Sequence, residues 1–264
     1  MTPSGQWAMI DLLPTPWHWA NAIGIAFVVG AAKTGVPGLG FLAVPWLAWV
    51  LAPNSLLSVG ALLPLLISAD IMAVWLYRRN PAVHHLWTLL PWVLLGMAVG
   101  TTLILALPQE RFDTAIGGTV MAMLAVHLWR KWRRLDTPPG RTVGAGVGIL
   151  AGTTTTLANA AGPVMNVYLL SQRMPKEDFI AAGAWFFFAV NLMKLPIYLG
   201  LSGFGDGSKL MITSQTLLMD ACLVPAVVVG SLVGRRIIPL IPQRTFEAVM
   251  LVLAAAAAVG LLVK

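Results

Sequence analysis

Charge is what this chain has least of. Asp, Glu, Lys and Arg make up 10% of its 264 residues, where a soluble domain carries about a quarter. That scarcity excludes a soluble domain of ordinary size. Cysteine is nearly missing too: the single Cys222 excludes an intrachain disulfide, and it has no second cysteine or histidine close by in the sequence. No HExxH, GxSxG or P-loop pattern occurs. We therefore expect no enzyme, no cofactor and no metal centre. The opening "MTPSGQWAMIDLLPTP" has no basic stretch ahead of an apolar core, which predicts no cleavable signal peptide.

What is present is apolar length. Hydrophobic residues make up 58% of the chain, and mean hydropathy is +0.81. Several apolar runs approach or exceed the roughly 20 residues that cross a bilayer. The net charge of +7 is not a nucleic-acid signature, because the basic residues cluster in short loops between these runs. Arg78 and Arg79, the group from Arg130 to Arg141, and Arg235, Arg236 and Arg244 are such clusters. Positive charge of this kind marks the cytoplasmic face.

The chain also repeats itself. "PWVLLGMAVGTTLILALPQERF" (Pro91 to Phe112) aligns without a gap on "PAVVVGSLVGRRIIPLIPQRTF" (Pro225 to Phe246), 134 residues later. "GIAFVVGAAKTGVPG" (Gly24 to Gly38) lies over "GILAGTTTTLANAAG" (Gly148 to Gly162), 124 residues later, and Tyr77 falls near Tyr198, 121 residues later. Each half starts with two short apolar pieces split by a Gly/Pro/Asn-rich break, at about 19–33 and 36–51, then at about 143–157 and 161–172. Three longer spans follow, at about 55–78, 85–106 and 112–130, then at about 176–200, 214–237 and 245–263. The piece before each break has about 15 residues, roughly 22 Å as helix, which is short for a hydrocarbon core near 30 Å.

This predicts an all-α polytopic membrane protein of two inverted repeats, each a broken or re-entrant helix pair plus three transmembrane helices. Residues 1–18 read as an N-terminal interfacial segment, 19–132 as the first repeat, 133–142 as a cytoplasmic basic linker and 143–264 as the second, inverted repeat. A helix pair adds an even number of crossings and three spans add an odd one, so the equivalent loops "LPQER" and "IPQRT" fall on opposite faces. Both termini are then outside. "GMAVG" (Gly96 to Gly100) and "GSLVG" (Gly230 to Gly234) read as close helix-packing patterns.

The breaks carry the chemistry. Unwound backbone in a membrane survives only against protein or a water-filled cavity. A half-helix starting there aims N–H groups and a positive dipole end into that cavity. The first break is "KTGVPG" (Lys33 to Gly38) and the second is "LANAAGP" (Leu157 to Pro163). Lys33 and Lys194 are the lysines within apolar segments, and Asn191 stands one helical turn before Lys194. Asp70, in "LLISADIMAVWLY", matches Asn191 at the spacing of 121. It is positioned to pair with either lysine or to carry a coupling proton. Candidate binding residues are Lys33, Thr34, Gly35, Gly38, Asn159, Gly162, Asn191 and Lys194, with Asp70 as coupling or charge partner. Asp220 reads as facing water.

At these residues the chain resembles the TauE/SafE sulfite-exporter family of membrane anion permeases. The resemblance rests on "GAAKTGVPGLGFLAVP" with "GALLPLLISADIMAVWLYRR", and on "AGTTTTLANAAGPVMNVYLL" with "FFFAVNLMKLPIYLGL". It implies a prokaryotic inner-membrane transporter of sulfur-containing anions such as sulfite, sulfoacetate or another organosulfonate. The glycine-rich motifs of that family land on Lys33 to Gly38 and Asn159 to Pro163, and its charged and amide positions on Asp70, Asn191 and Lys194. The expected function is secondary transport of a small sulfur oxyanion, in a lipid setting and with a proton or sodium as coupling ion. One repeat would rock against the other around a central site. The alternatives are a membrane-embedded assembly factor or enzyme, and a proton or cation channel centred on Asp70.

Overall fold

The computed structural model describes residues 13, 15–51, 55–78, 87–106, 125, 140–203 and 211–262. Among them every regular element is helical. The chain forms α1 (Pro16–Thr34), a 3-10 turn (Pro37–Leu42), α2 (Ala43–Val50), α3 (Ser55–Tyr77) and α4 (Leu90–Ala106). It continues as α5 (Arg141–Ala158), α6 (Ala161–Ser171), α7 (Lys176–Gly203), α8 (Ser214–Ile237) and α9 (Gln243–Leu262), with a 3-10 turn (Ile238–Leu240) between the last two. The expected spans are found with shifts of a few residues. The span at about 112–130 lies outside the described residues except for Ala125, and so does most of the basic linker.

Local chemistry sets the ends. Pro16 stands at the first position of α1, where its missing N–H costs nothing. Thr213 and Thr216 form a reciprocal cap that opens α8. Asn159 closes α5 in the left-handed region, at φ 52° and ψ 26°, which asparagine tolerates better than most residues. Leu57–Tyr77, Lys176–Ser202 and Ser214–Leu240 are each long and apolar enough to cross a membrane.

The repeat is visible as repeated contacts. A Cβ on Gly30 would strike the backbone of Val227 and Ser231, and a Cβ on Gly152 would strike that of Val93 and Met97. A Cβ on Gly230 would meet the Phe27 backbone, and one on Gly96 the Ile149 backbone. The patterns at Gly96–Gly100 and Gly230–Gly234 are indeed close-packing surfaces. These contacts place Gly30 over Gly152 and Phe27 over Ile149, a spacing of 122. The spacing of 124 read from Gly24 and Gly148 is therefore corrected. Backbone proximity, not glycine identity alone, fixes the register.

The partners cross between halves. α1, from the first half, packs on α8 from the second, and α5 packs on α4. One core gathers α1, α2, α3 and α8 around Ile25, Leu47, Leu62 and Leu223. The other gathers α4, α5, α6, α7 and α9 around Val93, Ala151, Met165 and Phe186. Each bundle thus contains a helix from the opposite sequence half.

Candidate functional site

The two helix breaks meet at one cavity. It has about 790 Å³ of atom-free space, counting its open side, and its walls come from both bundles. Ala32, Lys33, Pro37, Gly40 and Leu66 line it from one. Thr155, Asn159, Gly162, Pro163, Asn166, Phe187, Asn191 and Lys194 line it from the other. Among the described residues the lining includes lysines but no acid, arginine or histidine.

Lys33 ends α1 with its side chain only 14% exposed. Its Nζ lies 2.7 Å from Asp70 Oδ1, and Asp70 is fully buried in α3. Asn191 Nδ2 donates to the other oxygen, Asp70 Oδ2, at 2.6 Å. The acid and the amide that share one repeat position are thus in direct contact. Lys33 Nζ also sits 4.2 Å from the centroid of the Phe187 ring, a cation–π distance. Its ammonium is therefore held against partners inside the protein.

Lys194 is fully buried in α7. Its Nζ donates to Asn159 Oδ1 at 2.5 Å and to Thr155 Oγ1 at 3.0 Å, with a longer contact to the Thr155 carbonyl at 3.4 Å. All three partners are neutral. Asn159 in turn donates from Nδ2 to the Val59 carbonyl on α3 at 2.9 Å. Its left-handed backbone thus ends α5 while its amide joins the two bundles.

Tyrosines tie the first piece of each broken pair. Tyr77 OH donates to the Thr34 carbonyl at 2.6 Å, and Tyr198 OH donates to the Thr156 carbonyl at 2.9 Å. These carbonyls are left without helical partners at the last turn, and a buried one must find a donor. Thr34 and Thr156 also send their hydroxyls back to the Gly30 and Gly152 carbonyls. The two breaks are built alike down to individual bonds.

Of the sequence-derived candidates, Lys33, Asn159, Gly162, Asn191 and Lys194 line the cavity. Asp70 stands behind Lys33. Thr34 turns away: it is fully buried, and its Oγ1 donates to the Ser231 carbonyl at 2.7 Å. Gly35 is not an N–H donor to the cavity, because its N–H closes α1 on the Ala31 carbonyl at 2.9 Å. A Cβ there would run into Gly234, so the residue serves packing. Gly38 lies in the 3-10 turn. A Cβ at Gly162 would meet nothing within 4 Å, and this residue stands in the first turn of α6, where N–H groups lack helical acceptors. Asp220 does not face water. It is 3% exposed, and neither carboxylate oxygen has a hydrogen-bond partner among the described residues.

Sequence reasoning missed Thr155, Asn166 and Phe187. Asn166 is 2% exposed, lines the cavity, and its side chain has no hydrogen-bond partner among the described residues. Its spacing was the available signal, since it follows Gly162 by one helical turn and so shares its face. The arrangement offers buried cations, neutral amide and hydroxyl groups, and a helix N-terminus in one low-dielectric cavity. That set suits an anion.

A model of one protein family, described as Sulfite exporter TauE/SafE, matches residues 22–261, nearly the whole chain. No curated protein matches the chain. No solved structure matches it.

Proposed function

The chain belongs to the TauE/SafE sulfite exporter family, and from that premise we propose that it is a secondary transporter of a small sulfur oxyanion. The family is one of transporters, and the apolar helices accord with an integral membrane protein. Small sulfur oxyanions such as sulfite or an organosulfonate are the substrates this chemistry suggests, and export from a prokaryotic cell through the inner membrane is the direction we favour. Arginine clusters on the cytoplasmic side would leave both termini outside.

One observation carries the reading. Lys194 is fully buried and faces the cavity with only neutral partners, Asn159 and Thr155. A cation held in that way is costly without an anion beside it. In our reading the oxyanion supplies the missing charge, and Asn159, Asn191, Asn166 and the α6 N–H groups near Gly162 receive its oxygens. Asp70 holds Lys33 as a charge partner. A cation channel centred on Asp70 gains no support, because Lys33 and Asn191 already take up its two oxygens. Alternating access of the cavity to the two faces would complete the cycle.

The test is thermal unfolding of the purified protein with sulfite, sulfoacetate, taurine, sulfate and simple carboxylates, followed by efflux from proteoliposomes. At least one sulfur oxyanion should raise Tm and be carried. Lys194→Gln should lose both effects while remaining folded. No stabilisation by any oxyanion would defeat the proposal. So would a Lys194→Gln protein that transports normally.

A further inference from the structure

We infer that the cavity is matched to an anion bearing one negative charge, and that the Lys33–Asp70 pair sets this number. The inference rests on the anion-transport reading above and goes further by naming the charge class of the substrate. It follows from a count of charges. The ionisable residues lining the cavity are Lys33 and Lys194. The positive charge of Lys33 is cancelled by Asp70 at 2.7 Å, and Asp70 is itself held by Asn191. Lys194 touches only the neutral Asn159 and Thr155. The described residues at the cavity therefore carry one uncompensated positive charge. The N-terminus of α6 adds roughly half a charge, which still falls short of two. The remaining polar group, Asn166, supplies hydrogen bonds without integral charge. A dianion would bring a second negative charge into a buried site with no cation to meet it, and that charge would lose its hydration uncompensated. Hydrogen sulfite and singly charged sulfonates satisfy the count. Sulfate, and sulfonates with a second ionised group, do not.

The charge count is open to direct change. Asp70→Asn frees Lys33 and raises the site by one charge. Lys33→Gln leaves Asp70 unopposed and lowers the site by one. The probes are sulfoacetate, with two charges, and sulfoacetamide, its nearly isosteric relative with one. The measurement is the ratio of their Kd values at fixed ionic strength on the purified full-length protein. Wild type should bind sulfoacetamide more tightly. Asp70→Asn should move the ratio about tenfold toward sulfoacetate, and Lys33→Gln about tenfold the other way, as one unit charge at this range requires. A general loss of packing would weaken both ligands together and leave the ratio still. If one variant does not fold, the other carries the test, and the wild-type ratio decides if neither does. A wild-type preference for sulfoacetate, or a ratio that neither variant moves, overturns the inference and leaves the transport proposal standing. If neither sulfonate binds and sulfite also fails, both fall.

Discussion

The two broken helix pairs share their scaffold and differ in their charge. Tyr77 holds the Thr34 carbonyl as Tyr198 holds that of Thr156. Gly30 rests on α8 as Gly152 rests on α4. Yet where one half has Asp70, the other has Asn191. Where one break ends on glycine in an ordinary packing role, the other ends on left-handed Asn159. The positions that pack are equivalent, while the two halves differ in charge at Asp70 and Asn191 and in backbone at the helix ends. Packing constrains both copies equally because each backbone approach is sterically closed.

The comparison predicts its own failures. The largest effect belongs to the scaffold. Gly30→Leu and Gly152→Leu should each cost about 3 kcal/mol or more, since an overpacked side chain must displace a neighbouring backbone. Folded yield and Tm in detergent measure this, and tolerance of one substitution alone would break the equivalence. Next comes the charged contact. Asn191→Leu should destabilise by about 2 kcal/mol by removing a donor from a buried carboxylate, read from the same unfolding curves. The equivalent-position swap Asp70→Asn should instead act mainly through anion selectivity. Tyr77→Phe and Tyr198→Phe should each cost about 1 kcal/mol, the worth of one buried hydrogen bond. Unequal losses would show that one break leans more heavily on its tyrosine. The smallest effect is expected at Gly162→Ala, where stability should stay within about 0.5 kcal/mol. The added methyl enters open cavity space, so anion affinity should fall a few-fold with Tm unchanged in the absence of ligand.

Much of this was legible in the sequence, for identifiable reasons. Apolar runs bounded by Gly, Pro and Asn gave the helices, because a membrane leaves few other ways to satisfy the backbone. Lys33, Asp70, Asn191 and Lys194 stood out because polar side chains are rare in such runs. Thr34 and Gly35 misled for one reason. They lie at the break, but a helix end has one side toward the cavity and another toward its neighbour, and sequence spacing did not reveal which was which. Both face α8. Asp220 misled because its place in the span suggested exposure, whereas the packing of α8 buries it. Thr155 and Asn166 sit in helices where threonine and asparagine are unremarkable, and only the fold turns them toward the cavity.

The exchange of α4 and α8 between bundles has a consequence for movement. Glycine contacts as close as those of Gly30, Gly152, Gly96 and Gly230 admit little sliding, so helices joined by them travel together. The packing groups are then not the sequence halves. One core draws mainly on α1, α2, α3 and α8 and the other on α4, α5, α6, α7 and α9, while α3 and α7 also pack together around Val59, Leu63 and Tyr198. The chain passes from the first to the second between Tyr77 and Leu90, back between Gly203 and Ser214, and to the second again between Ile237 and Gln243. The bond from Asn159 to the Val59 carbonyl spans the seam between the two cores. Lys194, bonded to the same amide, stands where arrival of an anion would be felt at that seam.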